Sequence, residues 1–279
     1  MDRELVMHFL GTGGAVPSKD RNHPGLLVKF SGTKLLIDCG EGAQRQAMEQ
    51  GVSIYDVDAV LLTHCHIDHV AGLLPLATTV DLLHGRRLRV YGPAADSEST
   101  LDISDFEMIE YREVNPGDEV EIGDLRVLVY ESEHEVPTVD YRIETPKIPG
   151  KADPKYIRKV PTWKRREVLL RGERPYSLTK PGKISVYVKG DGRPANPENV
   201  RGCQVLVHEA CFENKEEAVR YSHSTHLEAA EVARKAGVDL LVLTHLSTKA
   251  DPERMREEAR EVFPVVVVAH DGLRVRVRR

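Results

Sequence analysis

The chain has 279 residues, 41% of them hydrophobic, which is enough for a sizeable core and excludes an intrinsically disordered protein. The net charge of −5 points to no class of partner by itself, and no apolar run approaches the roughly 18 residues of a membrane span. Four cysteines (Cys39, Cys65, Cys203 and Cys211) form no C-x-x-C pair, which argues against a zinc ribbon and, with no signal-peptide pattern, for reduced thiols in a cytoplasmic protein.

In chain order, LVMHFL (5–10) reads as a strand, followed by the Gly-rich loop GTGGAVPSKDRNHP. Those glycines lack the G-x-G-x-x-G spacing and following helix of a dinucleotide site. LLVKF and KLLID read as a hairpin around SGT, and EGAQRQAMEQG as a short helix stopped by Gly51. DAVLLTH is a strand that delivers a run of histidines, and VAGLLPLATTVDLLHG a helix ended by Gly85. DLRVLVYESEH and TVDYRIE are further strands. The second half repeats the logic: ISVYVKGDG and CQVLVHEA, a helix from THLEAAEVARKAG, the strand DLLVLTH, the helix DPERMREEAREVF, and VVVVAHDGLRVRVRR closing the sheet. Thr225 and Glu228 make a T-x-x-E capping box, and Asp251–Pro252 a second helix start. Two successive α/β halves without a linker predict a single domain over 1–279, two packed sheets with helices outside.

Residues 147–183 break this pattern. They carry twelve Lys and Arg against three acids, five prolines and the only tryptophan, Trp163. A proline-rich basic insertion is no buried strand, and an arm or long loop outside the core is expected. Its charge is either solvated or aimed at phosphates, and concentration of positive charge in one segment of an acidic protein favours nucleic acid.

LLTHCHIDHVAGLL (61–74) places three histidines and an aspartate within six positions. Alternate residues of an extended segment face the same way, so His64 and His66 suit one ion, and Asp68 and His69, at the turn into a helix, a second. Two ions need more ligands than one loop supplies. His134, Asp191 and His245 each follow an apolar strand, where α/β sites collect. Imidazole and carboxylate together suit zinc, with manganese as the other candidate. Cys65, in the opposite register to its neighbours, reads as packing.

THCHIDH, with the later His134, Asp191 and His245, resembles the metallo-β-lactamase fold family. FLGTGGAVPSKDRNHPGLLVKFSGTKLLIDCGEGAQRQ, HEACF, SHSTHLEAA and LTHLSTK resemble its ribonuclease Z branch, the tRNA 3′-processing endonucleases. The resemblance implies a four-layer αβ/βα sandwich and a dinuclear-metal phosphodiester hydrolase. It assigns His64, His66 and His134 to one metal, Asp68, His69 and His245 to the other, and Asp191 to both. Asp38 would orient the metal loop from behind, and His223 would act near the leaving group, with a helix-start contact as its plainer role. Paired ions lower the pKa of water toward about 7 and neutralise phosphate oxygens. Asp68 could accept the water proton and His223 protonate the departing oxygen. Thr225 is a cap, and His208, Glu209 and His226 are weaker candidates for supporting the site. Arg21 and Asn22 match a substrate-facing segment, with a turn-stabilising pair as the alternative. The family usually pairs its subunits, so a homodimer is implied.

The sequence departs from the family in three places. The arm's glycine-proline pair is absent, and VPTWKRREVLLRGE stands there instead. The usual SGDT is KGDG, and the later HFS…R is HLSTKA. Trp163 with Lys164, Arg165 and Arg166 could therefore stack on and neutralise unstructured strands as well as tRNA. The substrate expected is a tRNA precursor, other RNA or single-stranded DNA. A small-molecule phosphodiesterase, acting for example on cyclic nucleotides, is the alternative and would need no basic arm.

Overall fold

The computed structural model describes residues 4–94 and 106–278. Two seven-stranded sheets face each other. The first contains β1 (Glu4–Gly11), β2 (Gly25–Phe30), β3 (Thr33–Ile37), β4 (Ala59–Leu61), β5 (Leu88–Gly92), β6 (Ile109–Glu113) and β14 (Arg274–Arg278), in the order β14-β1-β2-β3-β4-β5-β6. The second contains β7 (Glu119–Ile122), β8 (Leu125–Ser132), β9 (Thr138–Glu144), β10 (Ser185–Val188), β11 (Val205–Glu209), β12 (Leu240–Thr244) and β13 (Val266–Val268), in the order β13-β12-β11-β10-β9-β8-β7. Each sheet is parallel in one half and antiparallel in the other.

Strand periodicity builds the layers. In β1, Leu5, Met7 and Phe9 enter the core between the sheets, where they join Val127, Val129, Tyr141, Val186 and Val207 of the second sheet. Leu10, from the other face of β1, packs with Leu27, Leu36 and Val60 under α1 (Ala43–Glu49) and, beyond α2 (Ile67–Val70), α3 (Leu73–His84). The outer face of the second sheet is covered mainly by α8 (His226–Ala236) and α9 (Pro252–Val262) through Ala229, Ala233, Met255 and Ala259. The result is helix, sheet, sheet, helix. The Thr225–Glu228 capping box is formed, and Asp251 caps α9 through the amides of Glu253 and Arg254.

Two sequence expectations change. The stretch 265–279, read as closing one sheet, divides between both. β13 ends the second sheet and β14 edges the first against β1. The reason is the turn at His270–Gly272, where Gly272 has φ 86° and its amide donates to Phe9 O at 2.8 Å. The helix read from Val70 to Gly85 is broken at Ala71–Gly72 into α2 and α3. There the chain passes against another backbone: a Cβ on Gly72 would lie 2.2 Å from Gly40 O. Gly85, at φ 60°, does end α3.

Within 147–183 lie α4 (Pro154–Ile157) and α5 (Thr162–Arg171). Two isolated bridges, Ile148 to Gly182 and Ala152 to Ser177, tie the segment's two ends together. Val160, Val168 and Leu169 are buried, while Trp163 is 80% exposed. The two remaining short helices are α6 (Pro197–Val200) and α7 (Lys215–Arg220). No described helix is long and apolar enough to cross a membrane.

Candidate metal centre

The chemically active side chains sit just beyond the carboxyl ends of strands: Asp38 after β3, His64 and His66 after β4, His134 after β8, Asp191 after β10 and His245 after β12. Asp68 and His69 are delivered by α2. The structure brings all seven proposed metal ligands into one cluster. The donor atoms of His64, His66 and His134 lie within 4.8 Å of one another, and so do those of Asp68, His69 and His245. Asp191 stands between the two sets: its Oδ2 is 3.9 Å from His64 Nε2, 3.4 Å from His69 Nε2 and 3.1 Å from His245 Nε2.

Each set has support behind it. Asp38 accepts hydrogen bonds from the amide of Thr63 (2.8 Å) and its hydroxyl (3.0 Å), and its Oδ2 is 2.9 Å from His69 Nδ1. That contact puts the Nδ1 proton of His69 on the carboxylate side and leaves Nε2 as the free donor. His134 directs Nδ1 to Ser222 O at 3.0 Å, so its Nε2 is buried with no hydrogen-bond partner among the described residues. A buried acceptor nitrogen with nothing to accept is what a metal ion satisfies. Asp38, Ser222 and His245 are three of the four described non-glycine residues with positive φ, at 56°, 53° and 57°. Backbone strain therefore gathers at this rim.

The electrostatics fit cations. Burial drives the His64 imidazole far below its ordinary pKa, keeping it neutral and able to ligate. Burial would raise the Asp191 carboxyl, but the charges of His245 and His69 hold it well below the carboxylate range. Burial would likewise lower His69, yet Asp38, Asp191 and Asp68 together raise it well above the ordinary value. The three carboxylates that raise it are a concentration of negative charge that two cations would neutralise. The donor set fits two divalent ions.

His223 lies beside both ligand sets. Its ring is 5.1 Å from that of His134 and 5.6 Å from that of His245. Nδ1 is 3.4 Å from Glu209 Oε1, and Glu209 also accepts from the amides of Ser224 (2.6 Å) and Cys211 (2.9 Å). Burial lowers the His223 pKa, but Glu209 outweighs it and the value rises to about 9. Arg193 donates to His223 O and, at 2.8 Å, to Glu228, which fastens the HST loop to the cap of α8. Among the weaker candidates Glu209 thus reaches the site. His208 accepts instead from the amide of Ala195, and His226 pairs with Glu258. Cys65 is buried in the core under α3.

Arg21 and Asn22 direct their donors into the chain itself. Arg21 Nη1 reaches Thr12 Oγ1 (2.7 Å) and Ala269 O (2.6 Å), and Asn22 Nδ2 reaches Glu41 O (2.9 Å). They lace the Gly-rich loop to the turn at Asp271, which also accepts from the Asn22 amide. These bonds support the turn-stabilising alternative for both residues. In the arm, Arg165 bonds Val160 O at 2.9 Å, whereas Trp163, Lys164 and Arg166 are exposed. The residues sequence reasoning missed are Lys189, Asp140 and Arg193, because only the fold brings their partners together.

Comparison with known proteins agrees with this geometry. The metallo-β-lactamase fold protein YhfI from Bacillus subtilis superposes with a TM-score of 0.77 at 21% identity, covering 98% of this chain and 100% of that one. The short form of human tRNase Z superposes with a TM-score of 0.68 at 21% identity, covering 97% and 98%. Residues 5–102 match the family described as anti-Pycsar protein Apyc1. These likenesses show the metallo-β-lactamase fold, and the donor cluster could hold metal ions within it. A curated relative from Methanopyrus kandleri, ribonuclease Z, is 90% identical over 279 residues and 100% of each chain, and ribonuclease Z of Archaeoglobus fulgidus is 36% identical over 96% of each. The chain belongs to the ribonuclease Z family, nucleases of this fold.

Proposed function

We propose that the protein cleaves 3′-extended tRNA precursors hydrolytically, with two zinc ions held by His64, His66 and His134 on one side, Asp68, His69 and His245 on the other, and Asp191 between them. The observation that carries this reading is the pair of donor sets sharing Asp191, with His223 and Glu209 beside them. Bound there, divalent ions would lower the pKa of water and offset charge on the phosphate oxygens.

The chain's own groups supply the rest. Asp68 Oδ2, 3.5 Å from both His69 and His245, is placed to take the proton from the attacking water. The water oxygen bonds to phosphorus as the phosphorus–oxygen bond to the leaving nucleotide breaks. His223, kept protonated by Glu209, delivers a proton to the departing oxygen. Asp38 fixes the His69 ring so that this geometry is set before substrate arrives.

Specificity falls to the arm. We read 1–279 as one catalytic unit with 147–183 as an inserted arm, whose Trp163, Lys164 and Arg166 meet RNA while Arg165 braces the helix. A homodimer belongs to the same reading, and Leu82 and Leu83, adjacent on α3, are exposed apolar side chains, Leu82 by 79%. Cysteines that form no disulfide and an RNA substrate fit the cytoplasm.

The test is cleavage of a 3′-extended tRNA precursor beside an unstructured RNA and a single-stranded DNA of equal length, with product ends mapped. One cut at the end of the acceptor stem, with the others intact, is the expected result. Comparable cutting of all three would mean the altered arm reads no tRNA shape. Asp191→Ala should lose turnover together with bound zinc, and an active variant with full metal content would overturn the assignment.

A further inference from the structure

Beside the metal centre opens a cavity of about 560 Å³ whose wall includes His223 and His245. It adjoins the donor cluster and shares His245 with it. From it a series of rings leads to the surface. His245 and His223 lie 5.6 Å apart at 22°, Phe212 follows at 5.7 Å from His223, and Tyr221 stacks on Phe212 at 5.4 Å and 15°. Tyr221 is 46% exposed, and Val16, also in the lining, is an exposed apolar side chain. Lys249 adds a cation to the same wall, with the hydroxyls of Ser247 and Thr248 next to it; Glu213 and Glu217 also line it, Glu213 being turned to the Asp251 amide and Arg254.

Tyr221 and Val16 stay partly open at this rim, with the Arg220 guanidinium 5.4 Å from the Tyr221 ring centroid, so a bound group can cover what they leave exposed. Position decides what that is. The group attached to the departing oxygen must lie against the side chain that protonates that oxygen, and His223 is part of this wall. In a phosphodiester of nucleic acid, that group is a nucleoside. The volume falls within the roughly 300–1,000 Å³ of small-molecule sites, and an aromatic wall with a few polar groups is the lining a base and its sugar take.

We infer that the Phe212–Tyr221 wall seats one unpaired nucleobase, that of the nucleotide carrying the departing oxygen, and that Lys249 meets the phosphate beyond it. The inference rests on the nuclease reading above and deepens it. Seating the base holds the sugar oxygen against His223, so base contact is converted into alignment of the breaking bond. Because every base has a π-face, the seat tolerates any sequence but requires a base to be present.

The experiment uses the zinc-loaded full-length protein and 3′-extended tRNA precursors lacking the base on one side of the cut or the other. The quantity read is the ratio of kcat/KM with and without the base, taken within each protein so that general damage cancels. Loss of the base on the leaving side should lower kcat/KM about tenfold in the parent chain. The ratio should fall toward one in Tyr221→Ala, return in Tyr221→Trp, and shrink in Phe212→Leu. A ratio of one in the parent, an effect confined to the base on the other side, or a ratio unchanged in both Tyr221→Ala and Phe212→Leu would overturn the seat. Hydrolysis of bis(p-nitrophenyl) phosphate, which has no base, is followed in parallel. Absence of both that activity and RNA cleavage would overturn the nuclease reading itself, a result distinct from failure of the seat.

Discussion

Lys189 and Asp140 form an ion pair in the interior, Nζ to Oδ1 3.3 Å, each side chain 1% exposed. The ammonium also donates to Ser132 Oγ, Gly190 O (2.9 Å) and Asp191 O (3.2 Å). Asp140 accepts in turn from the Gly190 amide (2.9 Å) and the Tyr187 hydroxyl (2.8 Å). The pair therefore braces, from both of its members, the loop that presents Asp191 to both ligand sets. In the resembled motif SGDT a serine stands where this chain has Lys189, so here a buried charge supports the segment.

Lys189→Met should destabilise the fold by about 3–5 kcal/mol, since it leaves the Asp140 carboxylate buried without its counter-charge. Adding Asp140→Asn should return part of that loss. Denaturant unfolding of the single and double variants measures it. Equal stability of Lys189→Met and the parent would show that the pair carries no such weight.

Asp38→Ala removes the acceptor that fixes His69 and the Thr63 hydroxyl. Outer hydrogen bonds of this kind are worth about 10–100-fold in metal affinity, and that loss is expected, with the set of Asp68, His69 and His245 emptying first. Metal content after dialysis against graded chelator reports it. Retention identical to the parent would mean His69 is held by packing alone.

The pH dependence turns on Glu209. In the ion-free protein the His223 pKa is raised to about 9, burial being outweighed by Glu209, with Asp191 assisting and His245 opposing. His134 also faces the ring, and Arg193 holds its backbone. A raised histidine pKa contributes stability that is fully present below its unfolded value near 6.5 and is lost as pH rises through about 9. Activity needing protonated His223 falls over the upper part of the same range, and bound cations move that fall to lower pH. Glu209→Gln should move the alkaline limb of kcat lower still; a limb that stays in place would assign it to another group.

Legibility in the sequence followed the range of the interactions. His64 to His69 stand in one motif, and Asp191 and His245 each close an apolar strand, so the donors could be found from local pattern and strand period. The capping box of α8 was equally local. The separation of β13 from β14 was not, because one alternating run reads the same whether it stays in a sheet or crosses to another. Lys189 finds Asp140 and Ser132 only through the pairing of β9 with β10 and the packing around it. Arg21 and Asn22 were open to a substrate-facing or a turn-stabilising role because Ala269, which accepts from the Arg21 side chain, and Asp271, which accepts from the Asn22 amide, lie far along the chain.

The arm offers the clearest separation of charge from structure. Lys164 and Arg166 are exposed on α5, whereas Arg165 is bonded to Val160 O. Lys164→Ala with Arg166→Ala should weaken RNA binding and flatten its salt dependence, the slope falling by about one for each phosphate no longer neutralised. Arg165→Ala should instead loosen the turn between α4 and α5, seen as faster amide exchange there. Trp163, being exposed, should change its fluorescence on binding RNA. Unchanged affinity, salt slope and fluorescence would leave the arm's charge to the solvent, and RNA recognition would have to reside in the walls of the metal centre.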